Sequence, residues 1–505
     1  MSPAPDLIRR ILAARVYDVA VRTPLDLMPR LSAHLGRPVY AKREDLQPVF
    51  SFKLRGAYNK IVGLSDAERA RGVLCASAGN HAQGVALAAR TLGCRAVIVM
   101  PRTTPSIKVE AVRALGAEVD LAGDTYDDAH AHAREREQAE GLVFIHPYDD
   151  LDVIAGQGTV AVEMLQQQPA LFEACFVCVG GGGLLAGVAA YTKFLQPETQ
   201  VIACEADDAA CFAAARLAGA RVILPHVGLF ADGAAVKQVG VHPWAITRDL
   251  VDGAVTVSTD EICAAIRLIF EDLRAIAEPA GALGVAGLLK WAAEHTGTTP
   301  IVAIISGANL NFGRLQHVAE RTELGAGTEA LFAVVLPERP GAFRAFCAVV
   351  GDRNITEFNY RLGDHERAAV LVGVRVVAGS ADREALCAAW TDAGYPVTDL
   401  SHDELSKLHL RHLVGGRARE ATDERLVRFE FPERPGALLE FLTALDPRWN
   451  ISLFHYRNHG AAVGRVLAGI QVADVAVPQF HEALARLAYP YTIEHEHPAA
   501  TLFLR

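Results

Sequence analysis

Phe176-Val177-Cys178-Val179-Gly180-Gly181-Gly182-Gly183-Leu184-Leu185-Ala186-Gly187-Val188-Ala189-Ala190 passes from an apolar, β-type run through four glycines into an apolar helix-forming one. Phe176 to Val179 reads as a buried strand and Leu184 to Ala190 as the helix after it, so Gly180 to Gly183 occupy a strand-to-helix turn. Without Cβ atoms, the backbone N–H groups of such a turn can converge on an anion, and the helix dipole adds to the attraction. The turn is a candidate phosphate cradle. Far upstream, Ser51-Phe52-Lys53-Leu54-Arg55-Gly56 sets a lysine between a bulky aromatic residue and an amphipathic stretch from Leu54 to Leu64. Held partly out of water, that lysine is cheaper to make neutral, and a neutral amine can form a Schiff base with an aldehyde. Pyridoxal 5′-phosphate carries both the phosphate and the aldehyde. Taken singly, the plain readings are a solvated lysine and a glycine-rich loop.

Between Gly72 and about Pro147, apolar runs alternate with helical periodicity. The order is Val73 to Ala76, a helix from Ala82, Ala96 to Met100, a helix from Ser106, Val119 to Leu121, a helix from Tyr126, and Leu142 to His146. That alternation predicts an α/β fold of parallel sheets covered by helices, receiving ligands at the carboxyl ends of the strands. Ser77-Ala78-Gly79-Asn80-His81 falls at one such end. Its N–H groups and the Ser77 hydroxyl suit a substrate carboxylate; capping of the next helix by Ser77 or Asn80 is the alternative. His81 reads as a cap or packing residue rather than a base. Val201 to Glu205 and Ile301 to Ile305 are further buried strands, the second ending in Ser306-Gly307-Ala308-Asn309. Gly156-Gln157-Gly158-Thr159 reads as the opening of a helix and Lys42-Arg43-Glu44-Asp45 as an ordinary charged loop. Glu278, just before an apolar helix, reads as a dipole partner.

At 505 residues the chain is too long for one ordinary core, and two or three domains are expected. A net charge of −10 with interspersed signs leaves no footprint for a polyanion, which argues against nucleic acid. No apolar run approaches the ~20 residues of a spanning helix and the N-terminus carries no signal-peptide core, so a cytoplasmic protein without membrane contact is expected. Nine scattered cysteines suit a reducing compartment. Cys175 and Cys178 have C-x-x-C spacing but no second pair, so packing is expected and no metal site.

Past residue 325 the chain repeats itself. Leu331 to Ala342 recurs as Leu426 to Ala437, and Asn354 to Arg361 as Asn450 to Arg457, at offsets of 95 and 96 residues. Each copy reads strand, Pro-Gly turn, helix, strand, strand, helix, strand, the ferredoxin-like βαββαβ order of an α+β module. Such a sheet leaves one face free to pair with its copy. The turns at Pro340-Gly341 and Pro435-Gly436 can take an amino-acid carboxylate, and Phe358, Tyr360, Phe454 and Tyr456 can frame an apolar side chain. A duplicated structural or oligomerisation domain is the alternative.

Together, Ser51 to Ala57, Ser77 to Gly84, Gly180 to Leu184 and Ser306 to Asn309 resemble the signature blocks of the pyridoxal-phosphate serine/threonine dehydratases. With the C-terminal half included, the resemblance is to the family's biosynthetic threonine deaminases and covers nearly the whole chain. It implies a fold-type II, tryptophan synthase β-like catalytic domain over 1–325 and two ACT-like regulatory modules, at 330–408 and 425–505. It places Lys53, Phe52, Asn80, Gly180, Gly181, Gly182, Gly183, Leu184 and Ser306 around the cofactor, with Asn80 at its phenolic oxygen. Ser306 falls at the pyridine nitrogen, where a neutral hydroxyl cannot hold a proton on the ring, so loss of a β-hydroxyl competes better with long-lived carbanion chemistry. Ser77 to His81 would take the substrate. The implied reaction converts L-threonine to 2-oxobutanoate and ammonia, the entry to isoleucine synthesis, with Lys53 removing the Cα proton. A homotetramer inhibited by isoleucine and relieved by valine is implied, with effector sites around Pro340, Gly341, Asn354, Phe358, Tyr360, Asn450, Phe454 and Tyr456. Some relatives hold a divalent ion near Glu205 and Ala209, but Cys211 replaces an acid here, and no metal is expected. A serine dehydratase, racemase or β-replacement enzyme is the rival enzyme, and a non-catalytic amino-acid sensor the rival of another class. The duplicated half weighs against the first and Lys53 against the second.

Overall fold

The computed structural model describes residues 5–168, 170–337, 346, 349–350, 353, 355–360, 367–377, 380–412, 423–432, 449, 451–457, 463–487, 489–494 and 497–504. The backbone divides into two units, residues 1–315 and 316–505.

The first unit holds β1 (Leu25–Leu27), β2 (Val39–Arg43), β3 (Val73–Ala76), β4 (Ala96–Met100), β5 (Glu118–Leu121), β6 (Val143–Phe144), β7 (Ala174–Cys178), β8 (Gln200–Ala206), β9 (Gly253–Val257) and β10 (Ile301–Ile305). They form two sheets, β1-β2-β10-β7-β8-β9 and β5-β4-β3-β6. The smaller sheet is wholly parallel, and in the larger only β1 runs antiparallel. Helices cover parallel sheets on both faces, so the central strands are apolar along their whole length; every residue of β4, β7 and β10 is buried. The carboxyl ends of β3, β7 and β10 lead into Ser77, Val179 and Ser306, and the helices Asn80–Leu92 and Gly183–Leu195 begin just beyond the first two.

The sequence suggests a helix start at Gly156, but the helix begins five residues earlier, at Leu151. Gly156 and Gly158 do not open a helix but lie inside Leu151–Gln167, which Asp150 caps. A Cβ at Gly156 would sit 2.7 Å from the Arg55 carbonyl oxygen, and one at Gly158 would sit 3.2 Å from that of Gly187. The two glycines let the Lys53–Val62 and Gly183–Leu195 helices close on this one, which positions both the lysine segment and the tetraglycine turn.

The second unit contains two four-stranded sheets. β11 (Glu329–Pro337), β12 (Ile355–Tyr360), β13 (Arg367–Arg375) and β14 (Val397–Asp399) are ordered β12-β13-β11-β14. β15 (Glu424–Pro432), β16 (Ile451–Arg457), β17 (Val463–Gln471) and β18 (Tyr491–Ile493) repeat that order. All pairings are antiparallel. The helices Ser380–Asp392 and Val477–Leu487 follow the third strand of each copy, as ferredoxin-like order requires. Alternation along β11 separates two cores. Phe332 and Val334 pack with Trp390, whereas Leu331 and Ala333 join Leu371 and, from the other copy, Leu426 and Leu467. The free face anticipated for each sheet is thus buried against its duplicate.

Candidate active site

Lys53 is the first residue of the helix Lys53–Val62. The chain reaches it through Phe50, a non-glycine residue at φ +55°, and is sewn to the end of β10. The Ala308 N–H donates to the Phe50 carbonyl at 2.8 Å, the Phe52 N–H donates to the Ser306 carbonyl at 3.2 Å, and Ser51 bridges Gly307. The Lys53 ammonium donates to the Pro147 carbonyl at 3.1 Å, beyond β6, and lies 5.3 Å from the Phe52 ring centre. The side chain is half-buried, yet the protein packed around its nitrogen removes most of its water. Desolvation pulls its pKa down to about 8, only partly opposed by Cys178 and Glu278.

The tetraglycine turn is closed to side chains. A Cβ at Gly180 would lie 2.9 Å from the Ala234 carbonyl oxygen, one at Gly183 3.0 Å from Tyr148 Cβ, and Gly181 lies against the Tyr148 ring. Gly182 adopts φ +90° and would set a Cβ 2.9 Å from Pro243. No side chain caps the helix Gly183–Leu195, so the N–H groups of its first turn keep their capacity for an anion.

At the end of β10, buried Ser306 directs its hydroxyl to the Ala280 carbonyl at 3.4 Å and shares a hydrogen bond with the Cys178 thiol. Burial holds that thiol up at about 11, hence neutral. Cys175 is buried in β7, and both thiols are free.

At the end of β3, neither Ser77 nor Asn80 caps the following helix; Gly79 is the N-cap residue, and no side-chain cap bond is made to the helix. Ser77 Oγ accepts the Gly79 N–H at 3.3 Å. Asn80 Nδ2 donates to Glu278 Oε1, and Asn80 Oδ1 accepts from Asn309 Nδ2 at 2.6 Å. Asn309 Nδ2 also donates to the Val49 carbonyl at 2.8 Å. His81 is 3% exposed and bonds the Ile145 carbonyl at 2.8 Å through Nε2. Burial, then Lys53, push its pKa down to about 3, so it is neutral.

Glu278 stands at a helix start, where a dipole partner is expected, and also reaches across the crevice. Although it is the N-cap of Pro279–Ala292, its side chain makes no cap bond and reaches Asn80 instead. It is 4% exposed, and burial with the nearby Asp232 raises it to about 7. Nothing in the Glu278-Pro279 dipeptide distinguishes these two roles, since the partner is 198 residues away.

The Lys42-Arg43-Glu44-Asp45 segment is likewise no ordinary charged loop. Lys42 and Glu44 are fully buried, as are Arg55 and Glu163. Arg55 grips Glu44 through two bonds of 2.8 Å and Glu163 through one of 2.7 Å, while Lys42 meets Glu163 at 2.7 Å. Two cations and two anions cancel, and Thr23 adds a hydroxyl bond of 2.7 Å to Glu44. Arg55 stands two positions after Lys53, so this cluster locks the lysine's helix to β2 and to Leu151–Gln167.

Glu205 accepts the Phe212 and Ala213 N–H groups at 2.8 Å each, so the helix Cys211–Ala218 occupies both its oxygens. The Cys211 thiol contacts the Gly180 carbonyl at 3.4 Å. Among the expected effector residues, Pro340, Gly341, Asn354 and Asn450 lie outside the described residues. Phe358 and Tyr360 fall on β12, Phe454 and Tyr456 on β16. Among the described residues, no helix is long and apolar enough to cross a membrane.

Comparison with known proteins separates the two halves of the chain. Residues 16–307 match the family model of pyridoxal-phosphate dependent enzymes, and 320–410 and 415–504 each match the C-terminal regulatory domain of threonine dehydratase. The biosynthetic L-threonine dehydratase of Burkholderia multivorans is 53% identical over 504 residues, covering 99% of both chains. That of Escherichia coli is 50% identical over 508 residues, covering 100% of this chain and 98% of its own. Among solved structures, processed threonine deaminase isoform 2 from Solanum lycopersicum has a TM-score of 0.62 at 47% identity, covering 63% of this chain and 94% of its own. Maize serine racemase has 0.59 at 33%, covering 63% and 97%.

Proposed function

Because the chain belongs to the family of pyridoxal-phosphate dependent enzymes and carries the C-terminal regulatory domain of threonine dehydratase in two copies, we propose that it deaminates L-threonine to 2-oxobutanoate and ammonia at the Lys53 crevice, opening isoleucine synthesis. The observation that carries this function is likeness over both halves at once: biosynthetic threonine dehydratases align along 99% of the chain or more, and residues 320–410 and 415–504 each match the regulatory domain of threonine dehydratase.

The residues present fit the cofactor. An uncapped helix start behind glycines that admit no Cβ suits a phosphate, and a lysine drawn down to about 8 suits an aldehyde. When bound, pyridoxal phosphate supplies a carbonyl carbon for an amine and a ring that accepts the electrons of a carbanion. Lys53 would hold it, with Phe52 beside the lysine, Gly180 to Leu184 on the phosphate and Ser306 at the ring nitrogen. Asn80 has one amide N–H engaged by Glu278, leaving the second for the phenolic oxygen. Ser77 to His81, whose first four members are half-buried, would orient the substrate carboxylate. The Lys53 amine would also take the Cα proton of a bound substrate, a transfer that a lowered pKa favours near neutral pH.

Residues 1–325 form the catalytic domain in this proposal, and 330–408 with 425–505 the regulatory modules. The protein acts as a cytoplasmic homotetramer whose effectors, isoleucine and valine, bind near Pro340-Gly341, Asn354, Phe358, Tyr360, Asn450, Phe454 and Tyr456. The test is keto-acid formation by the purified chain from L-threonine and L-serine, with and without isoleucine. Threonine turnover that isoleucine suppresses is expected. Strong preference for serine would favour the racemase-like reading, since one methyl group is worth only ~1–3 kcal/mol in a pocket.

Cofactor uptake should follow the Lys53 amine. Only the neutral amine attacks an aldehyde, and the neutral fraction grows as pH rises toward the amine's pKa, which lies down at about 8. Uptake by cofactor-free protein, followed by absorbance, should rise about tenfold per pH unit below that value and level off above it. A rate still climbing near pH 10 would assign the amine an ordinary lysine pKa.

A further inference from the structure

Asp232 joins two distant cations of the first unit. Its Oδ2 accepts from Lys108 Nζ at 2.7 Å and its Oδ1 from Arg314 Nη1 at 3.2 Å. Lys108 belongs to Ser106–Ala114, the helix that crosses from β4 to β5 in the smaller sheet. Arg314 also donates to the Leu229 and Phe230 carbonyls, each at 3.2 Å, and so pins the backbone just before Asp232. Gly233 then packs on the Asn80–Glu278 pair: a Cβ there would lie 3.0 Å from Ala280 Cβ, 3.6 Å from Glu278 Oε1 and 3.8 Å from Asn80 Nδ2. Ala234 meets Gly180 of the phosphate turn.

We propose that Lys108, acting through Asp232, is a positioning residue for the Asn80–Glu278 pair, tying the helix layer of the smaller sheet to the Lys53 crevice. This deepens the functional proposal above and rests on it.

Electrostatics give the clasp a measurable signature. Burial and the Asp232 carboxylate favour the proton on Glu278, whereas the Asn80 bond and the Lys108 and Arg314 cations oppose it. Lys53 and Glu278 attract each other, and the Cys178 thiol close to both is neutral. Removing the Lys108 cation should therefore tighten the proton on Glu278, and removing the Asp232 anion should loosen it. A simple loss of packing has no reason to move the two in opposite directions.

The test is an infrared pH titration of the full-length protein as purified. The carboxylic-acid C=O band of Glu278 is identified by its disappearance in Glu278→Gln. Relative to wild type, the midpoint should rise in Lys108→Met and fall in Asp232→Asn by about half a pH unit or more, a threefold change in proton affinity. Lys108→Arg should restore it. Shifts in the same direction, or an unmoved midpoint in Lys108→Met, would overturn the proposal. Should Lys108→Met fail to fold, Asp232→Asn decides alone, its downward shift supporting the clasp and an unchanged midpoint overturning it. The titration involves no turnover, so failure of the functional proposal would show separately, as absence of keto acid from a wild-type protein whose variants still shift in opposite directions.

Discussion

Lys53→Ala is expected to lose threonine deamination by about 10⁴-fold or more, together with the absorbance of lysine-bound cofactor. In the proposed chemistry two functions fall at once because one nitrogen would serve both, holding the aldehyde and taking the Cα proton. Lys53→Arg should be equally inactive, since a guanidinium keeps the charge but cannot become a neutral nucleophile. Lys60→Ala is the control on the same helix; that lysine pairs with Asp150 at 2.7 Å, and its loss should leave cofactor retention near wild type. Keto-acid release and the visible spectrum, measured on the same samples, check both effects. Normal turnover in Lys53→Ala would remove the lysine from the chemistry.

Arg55→Met is expected to destabilise the first unit by about 3–5 kcal/mol, because it leaves Glu44 and part of Glu163 charged, buried and without their strongest partner. The arginine satisfies three carboxylate contacts between 2.7 and 2.8 Å at a fully buried site. Adding Glu44→Gln to Arg55→Met should recover part of the loss, since the stranded charge then disappears. Thermal unfolding followed by circular dichroism compares the three chains. A melting temperature in Arg55→Met equal to that of wild type would mean that the cluster contributes nothing net. Because Arg55 shares a helix with Lys53, cofactor affinity should fall in the same variant even under conditions where it stays folded.

What the sequence made legible follows from what local pattern encodes. The apolar runs at Ala96 to Met100 and Ile301 to Ile305 coincide with β4 and β10, because a strand buried on both faces has no polar positions to confuse it. The tetraglycine turn was legible because glycines between a strand and a helix have few other uses. The duplicated ferredoxin-like order was legible because the second copy repeats the first in sequence. Buried charge was not. Lys42 and Glu44 look the same in a sequence whether they face water or each other, and only Arg55 and Glu163, brought in from distant helices, make burial tolerable. Gly156 and Gly158 misled for a similar reason, since glycine marks a helix start and a close helix crossing alike. The Asn80–Glu278 and Lys108–Asp232 pairs join residues 198 and 124 positions apart, beyond the reach of any periodicity.

Borohydride reduction of the purified enzyme, followed by proteolysis and mass mapping, fixes the pyridoxyl group to whichever amine holds it. The label is expected on the peptide containing Ser51-Phe52-Lys53, at Lys53 and in about one copy per chain. Label on another lysine, or a reduced protein carrying none, would contradict the assignment of Lys53 and with it the proposed chemistry of the crevice.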